Sequence, residues 1–431
     1  MRHRGSAGHL DVLARTYGVT GAQLVVRRMG EALTAETGVE EVGTTRTVSA
    51  HSRFPFGSLT KLFTATVIMQ LSADGDIDLD APLAGYLPEL GTVAWRSATA
   101  RQLLSHSAGL VADHEVASRS VSPRRYVLSC IREPPLTTPG TAFSYSNAGY
   151  VVLGHLIESV TGYCWREAVE SFLAGPLGLR LSYADDLVGW TSVRAHAVEG
   201  DDAVPLEAEL PAGWLPAGGI AGSALDLAAL ARLLMDDGAP TGVLDTRVAT
   251  EMRQGVPGLE PFGLAEGWGA GLALYGDGWV GHDGNLDGVS ANLRFHPETG
   301  AIVALTTNAS SGTALWEDLW ARLRPAAVTE PAPIRRRVVP DLSAYLANDY
   351  RNGGTRFEVH RGGFGELRLR DDSGFTARLL PSHKDVFTVH CSSAEMPTQL
   401  CRFLRDEWGG VTALQFSGRL AVRPKIRQLA G

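Results

Sequence analysis

The sequence predicts two folded units of different class. An α/β (α+β) domain with an antiparallel sheet and a helical region spans residues 1–325, a linker spans 326–340, and a small antiparallel β domain spans 341–431. Three observations predict this layout. The hydrophobic period of the first 325 residues is strand-like at both ends and helical between them. The segment Pro325 to Pro340 is rich in proline and carries Arg335-Arg-Arg337, a composition that suits a linker with solvated charges better than a basic docking patch. Beyond it come short alternating stretches at even spacing, the pattern of a curled antiparallel sheet or barrel.

Taken in order, the apolar stretch Ala22 to Val26 and its neighbours, punctuated by Gly30 and Gly38, predict a hairpin or meander over 22–50. From Ser58 the period becomes helical, through Leu62, Phe63, Val67, Met69 and Leu71, and stops near Asp74-Gly75. A second amphipathic helix follows Asn147, with Val151, Val152, Leu156, Ile157 and Val160 on its buried face and Thr161-Gly162 as its stop. Ser223, with Asp226 three residues on, opens a third through Leu227, Leu230, Leu233 and Leu234. Val289 to Phe295 and Ile302 to Thr307 flank His296-Pro-Glu-Thr-Gly300 as a hairpin. In the C-terminal domain, strands are predicted at Arg356–His360, Glu366–Arg370, Phe375–Leu380, Val386–His390, Leu400–Arg405 and Val411–Phe416.

Composition narrows the function. With 39 basic against 47 acidic residues, the formal charge of -8 argues against binding nucleic acid through phosphate neutralisation. No apolar run approaches the roughly 20 residues of a membrane span, so no membrane partner is expected. The first eleven residues lack an apolar signal core, and the expected compartment is the cytoplasm. Cys130, Cys164, Cys391 and Cys401 form no CxxC and no ligand spacing, so neither metal nor cofactor is expected. Gly276 to Gly281 matches GxGxxG but lies between strands, and Asp74 to Asp80 lacks the glycine and glutamate of a calcium loop. His155 and Glu158 have no second histidine at zincin spacing, and His106 reads as a structural histidine.

Of the 39 basic residues only Lys61, Lys384 and Lys425 are lysines. Arginine keeps its proton in proteins, whereas a desolvated lysine can lose it and act as a base. Lys61 stands in Ser58-Leu59-Thr60-Lys61, one helical turn after a serine, where an uncharged amine could activate the hydroxyl as a nucleophile. Alone, that spacing fits an N-cap followed by a surface lysine equally well. Two further segments add weight: Tyr145-Ser146-Asn147 just before a helix, and Gly281-His282-Asp283-Gly284 in a strand-rich region. A serine-lysine motif, a second polar motif and a strand motif ending in glycine form the three-part pattern of penicillin-recognising enzymes.

From about residue 10 to 325 the chain resembles the class C β-lactamase and D-alanyl-D-alanine carboxypeptidase family of serine enzymes. The segments that carry the likeness are Phe56-Gly-Ser-Leu-Thr-Lys61, Leu103-Leu-Ser-His-Ser-Ala-Gly-Leu110, Phe143-Ser-Tyr-Ser-Asn-Ala-Gly-Tyr150, Pro216-Ala-Gly-Gly219 and Gly281-His-Asp-Gly284. The resemblance implies that Ser58 is acylated, that Lys61 and Tyr145 carry its proton, and that Asn147 holds Lys61 and the substrate amide. It implies an oxyanion hole from the backbone N–H groups of Ser58 and Asn285, and substrate contacts at Gly218, Gly219 and Gly284. Where β-lactamases place Lys-Thr-Gly this chain has His282, a group expected to titrate near neutrality beside a carboxylate. Trp214 and Trp268 are candidates for lining a peptide cleft.

Within that family the added β domain is similar to the lipocalin-like domain of penicillin-binding-protein-type thioesterases. The resemblance implies a serine acyltransferase that releases and macrocyclises a nonribosomal peptidyl thioester, with a carrier protein among its partners. The alternatives are a hydrolase of esters or D-amino-acid peptides and, from a different class, a ligand-binding or sensor module without turnover.

Overall fold

A computed structural model of the chain describes residues 3–90, 96–116, 121–186, 189–200, 202–207, 209–211, 213–235, 242–323, 342–363, 365–391 and 399–424. The expected linker at 326–340 lies outside them. The N-terminal part is built on a seven-stranded antiparallel sheet of β1 (Gly21–Arg28), β2 (Glu31–Gly38), β3 (Gly267–Trp268), β4 (Ala273–Leu274), β5 (Val280–Leu286), β6 (Val289–His296) and β7 (Ala301–Thr307), in the order β2-β1-β7-β6-β5-β4-β3.

Side-chain parity divides the two faces of that sheet. On β7, Val303 and Leu305 pack with Leu10 and Leu13 of the helix His3–Thr16 and with Leu315 and Trp316 of the helix Gly312–Leu323. Ile302 and Ala304, one residue out of phase, join Ala291, Leu293 and Phe295 of β6 in the larger core on the opposite face. That core surrounds a helix at Thr60–Ala73, of which 11 of 14 residues are buried, and also takes in helices at Asn147–Thr161 and Ala224–Met235. The predicted stop and start signals operate as local chemistry. Gly162 closes its helix in the left-handed conformation, φ 75°, and Ser223 and Asp226 cap each other's backbone N–H groups at 3.2 and 2.8 Å.

The C-terminal strands close into an eight-stranded antiparallel barrel: β8 (Ala347–Asn352), β9 (Thr355–Arg361), β10 (Leu367–Asp371), β11 (Thr376–His383), β12 (Val386–Cys391), β13 (Gln399–Arg405), β14 (Val411–Phe416) and β15 (Arg419–Val422). Six of these were predicted. The pair that completes closure, β8 and β15, carries weak sequence signals: a register shift interrupts β8 between Ala347 and Tyr350, and β15 is four residues long. Among the described residues no helix is long and apolar enough to cross a membrane.

Candidate active site

Ser58 sits in a 3-10 turn, Gly57–Leu59, that feeds directly into the buried Thr60–Ala73 helix. Lys61, in that helix's first turn, is fully buried, and its Nζ lies 3.0 Å from Ser58 Oγ and donates to the carbonyl oxygen of Ala217 at 2.7 Å. Burial drives the Lys61 pKa well below its ordinary value, with Arg419 adding to the fall and Asp113 opposing it. Burial thus favours the uncharged amine beside a hydroxyl, the form that can accept the hydroxyl proton. The Tyr145 ring lies 5.1 Å from Lys61 Nζ, and its hydroxyl is buried without a hydrogen-bond partner among the described residues. Burial raises the Tyr145 pKa, so the phenol stays protonated, with Ser58 and Arg419 acting against the rise.

The environment of His282 differs from the expectation. Neighbouring residues on a strand point to opposite faces, so on β5 the His282 ring and the Asp283 carboxylate part company. The imidazole Nδ1 meets the backbone carbonyl of Asp283 at 2.6 Å, not its carboxylate. Burial, with Lys61 nearby, lowers the His282 pKa to about 4, so the ring is neutral rather than poised near neutrality. Asp283 instead accepts two bonds of 2.7 Å from Arg294, one of 2.8 Å from Asn292 Nδ2 and one of 3.3 Å from the Tyr275 hydroxyl. Burial works against the ionised carboxyl, yet Arg294 keeps its pKa below the ordinary range.

Arg294 is itself buried and lies 3.7 Å from the Tyr275 ring centre and 5.3 Å from that of Trp316. Arg294→Met is expected to destabilise the fold by about 2 kcal/mol at neutral pH, less than the ~3–5 of a fully buried pair because Asp283 is 36% exposed. The lowered pKa of Asp283 contributes stability above the unfolded carboxyl pKa and loses it as pH falls through the folded value. Urea titrations at neutral and acid pH should therefore show the gap between wild type and variant closing below about pH 4.

Two glycines press β5 against the Ser58 turn. A Cβ on Gly284 would lie 1.9 Å from Phe56 O and 3.0 Å from Ser58 N, and one on Gly57 would lie 2.9 Å from Asn285 O and 3.0 Å from Asn285 N. Gly284 thus admits the nucleophile turn to the strand, not a substrate backbone. Beyond Gly281, β5 has no partner on its β4 side among the described strands, and His282, Asp283, Asn285 and Leu286 line the cleft there. Gly218 lines the cleft. Gly219 does not: it packs on Leu215, whose Cδ1 would be 2.5 Å from a Cβ there. The cleft measures about 410 Å³, and Trp214 and Trp268 both line it. No group of three or more His, Cys, Asp or Glu side chains among the described residues is placed to hold a metal ion.

Asn147, also in the cleft, donates its side-chain amide to Asp113 Oδ1 at 2.6 Å, and the recorded partners of Lys61 are Ser58 and Ala217. Asp113 in turn accepts from Arg419 at 2.8 Å. Arg419 belongs to β15, so the barrel supplies a cation to the cleft, together with Ser417 from the same hairpin. The hairpin is stitched in place by Tyr145 N–H to Gly418 O at 2.9 Å, Leu420 N–H to Ser144 Oγ at 3.2 Å and Gln415 Nε2 to Phe143 O at 3.2 Å. The backbone that presents Tyr145 is therefore held from the other domain.

The chain matches the Beta-lactamase family over residues 7–328. It is 34% identical over 331 residues to penicillin-binding protein 4 of Amycolatopsis lactamdurans, covering 73% of this chain and 87% of that protein. The chain belongs to the β-lactamase family. Its likeness to the solved structure of SurE extends through both domains: 39% identity, 98% of this chain and 99% of that one, TM-score 0.85. A second SurE structure, with D-Leu, matches at 38% identity and TM-score 0.82 over 98% of this chain. The protein is thus an SxxK-type serine enzyme of the hydrolase and acyltransferase kind, with the barrel as part of its architecture.

Sequence reasoning missed Asp113, Arg294, Ser417 and Arg419. Arg294 leaves a trace: it falls on the polar alternation Ser290, Asn292, Arg294, His296 of its strand, and a buried arginine there requires a counter-ion. Arg419 leaves none, because nothing local distinguishes it from the other arginines of the barrel.

Proposed function

We propose that this protein takes a peptidyl acyl group from a thioester onto Ser58 and releases it to an amine of the same peptide as a macrocycle. Lys61 Nζ accepts the Ser58 proton as Oγ attacks the thioester carbonyl. The C–S bond then breaks, and the thiol leaves with a proton returned through Lys61 and Tyr145. In the second half the amine nitrogen attacks the acyl ester, its proton passes to the same pair, and Ser58 Oγ departs protonated. The N–H groups of Ser58 and Asn285, held close by the approach of Gly57 to Asn285 and of Gly284 to Phe56 and Ser58, supply the oxyanion donors. Asn147 and Gly218 flank the peptide, His282 faces its reacting end, and a carrier protein is the partner that delivers the thioester.

The observation that carries this reading is the barrel hairpin at the cleft, which adds Ser417 and Arg419 to the catalytic residues in a two-domain layout that SurE matches end to end. A second wall lets the cleft hold a folded peptide, and a well-placed internal amine reaches an effective molarity of order 10⁵ M or more, enough to outcompete water. The D-Leu of the related SurE structure supports a D-residue at the reacting end of the substrate.

The test is a synthetic linear peptide with a C-terminal D-residue, presented as its N-acetylcysteamine thioester and followed by liquid chromatography and mass spectrometry. Cyclic peptide is expected; linear acid as the sole product would make the enzyme a hydrolase. A fluorophosphonate should add to the wild type and not to Ser58→Ala, and an unlabelled wild type would point to a binding module.

A further inference from the structure

The cleft holds an imidazole whose hydrogen-bonding polarity is fixed by the backbone. His282 Nδ1 lies 2.6 Å from the carbonyl oxygen of Asp283, and a carbonyl can only accept, so Nδ1 carries the proton and Nε2 is bare. That Nε2 is buried without a partner among the described residues, on a side chain 3% exposed that lines the cleft. Tyr145 and Trp268 flank the ring at 6.0 and 5.3 Å between centres. Among the described residues the charged groups around the ring are engaged elsewhere: the Asp283 carboxylate with Arg294, Arg419 with Asp113, and Lys61 with Ser58 and the Ala217 carbonyl.

A buried acceptor with no donor costs folding free energy, which a ligand can recover by supplying the donor. A carboxylate cannot do so, because its oxygens would bring lone pairs against a lone pair. A neutral amine can: it aims its own lone pair at the ester carbonyl and still has an N–H to give.

We propose that His282 is a specificity-determining residue whose bare Nε2 accepts a hydrogen bond from the N–H of the amine that attacks acyl-Ser58. This assignment rests on reading the cleft as an acyl-transfer site. It makes the position given to lysine in β-lactamases a selector for hydrogen-bond donors, which favours amines and discriminates against a carboxylate at the same point. The low pKa of the ring keeps Nε2 bare throughout the neutral range.

The first experiment forms the acyl-enzyme from p-nitrophenyl hexanoate and measures its partition between water and added D-leucinamide. The ratio of amide to acid does not depend on how fast the acyl-enzyme forms. His282→Lys is expected to lower that ratio at least tenfold, and His282→Gln, whose side-chain carbonyl can accept, should recover part of it. An unchanged ratio in a folded His282→Lys protein would overturn the assignment.

The second experiment keeps His282 and needs no turnover. In Ser58→Ala protein labelled with ¹⁵N-histidine, two-bond ¹H–¹⁵N spectra should show His282 protonated at Nδ1, with an Nε2 resonance that moves on addition of D-leucinamide and not of acetate. A proton on Nε2, or an Nε2 resonance unmoved by saturating D-leucinamide, would overturn it. Exclusive hydrolysis by the wild type would refute amine transfer as the function, and the imidazole spectrum would still decide the role of His282.

Discussion

Lys61→Arg is expected to slow acylation of Ser58 by about 10³-fold, within the range that positioned general-base catalysis supplies. The substitution keeps a long basic side chain but one that stays protonated, so the loss isolates one property, the ability to become uncharged. Wild-type Lys61 is driven toward the free amine by complete burial, and its Nζ already lies 3.0 Å from Ser58 Oγ. Because the base form is the active one, wild-type acylation should fall as pH drops through the lowered Lys61 pKa, and that limb should vanish in the arginine variant. Stopped-flow release of p-nitrophenol from an activated ester across pH 5 to 9 reads both effects. Retained burst kinetics in Lys61→Arg would reject Lys61 as the base.

The same burial carries a stability signature. A lysine whose folded pKa lies below its unfolded one destabilises the protein at every pH beneath the unfolded value, since unfolding lets the amine regain its proton. Lys61→Met should therefore raise the urea midpoint at neutral pH while removing the burst, the exchange of stability for function that a catalytic cleft imposes. A lowered midpoint would show instead that the bond to Ala217 O outweighs desolvation.

What could be read from the sequence was chemistry confined to a few neighbouring residues. The Ser223–Asp226 cap, the left-handed Gly162 and the hairpin around Gly300 each need only their own segment, and Ser58 and Lys61 are one turn apart on one helix. The Ser58 and Asn285 N–H groups were expected from the family resemblance alone, since neither Gly57-Ser58 nor Asp283-Gly284-Asn285 names the distant segment it meets. The expectations that changed all turn on geometry that residue order does not encode. The carboxylate of Asp283 faces away from the ring of His282 by strand parity. Asn147 is engaged by Asp113, from a loop 34 residues earlier. Gly219, adjacent to a cleft residue, packs in the core. Barrel closure brings Arg419 to Asp113 across 306 residues, and no periodicity reports such a contact.

Gly284→Ala separates a properly formed site from a merely folded protein, because its added methyl strikes backbone rather than a side chain that can rotate. The new carbon would sit 1.9 Å from Phe56 O and within 3.0 Å of the amide nitrogens of Leu59 and Ser58, so strand and turn must move apart. Overpacking of this kind costs about 1–3 kcal/mol. Displacing one oxyanion donor typically costs about 10²-fold in rate. Both losses are expected here, because the contact that blocks the methyl also sets the spacing of the Ser58 and Asn285 N–H groups. Gly218→Ala makes the same chemical change within the cleft, but its methyl meets Leu210 Cδ1 at 3.0 Å, the end of a flexible side chain, and should cost far less on both counts. Urea midpoints and kcat/KM on one activated ester compare the pair. Equal activity in the two variants would mean that the closeness of β5 to the nucleophile turn does not govern catalysis.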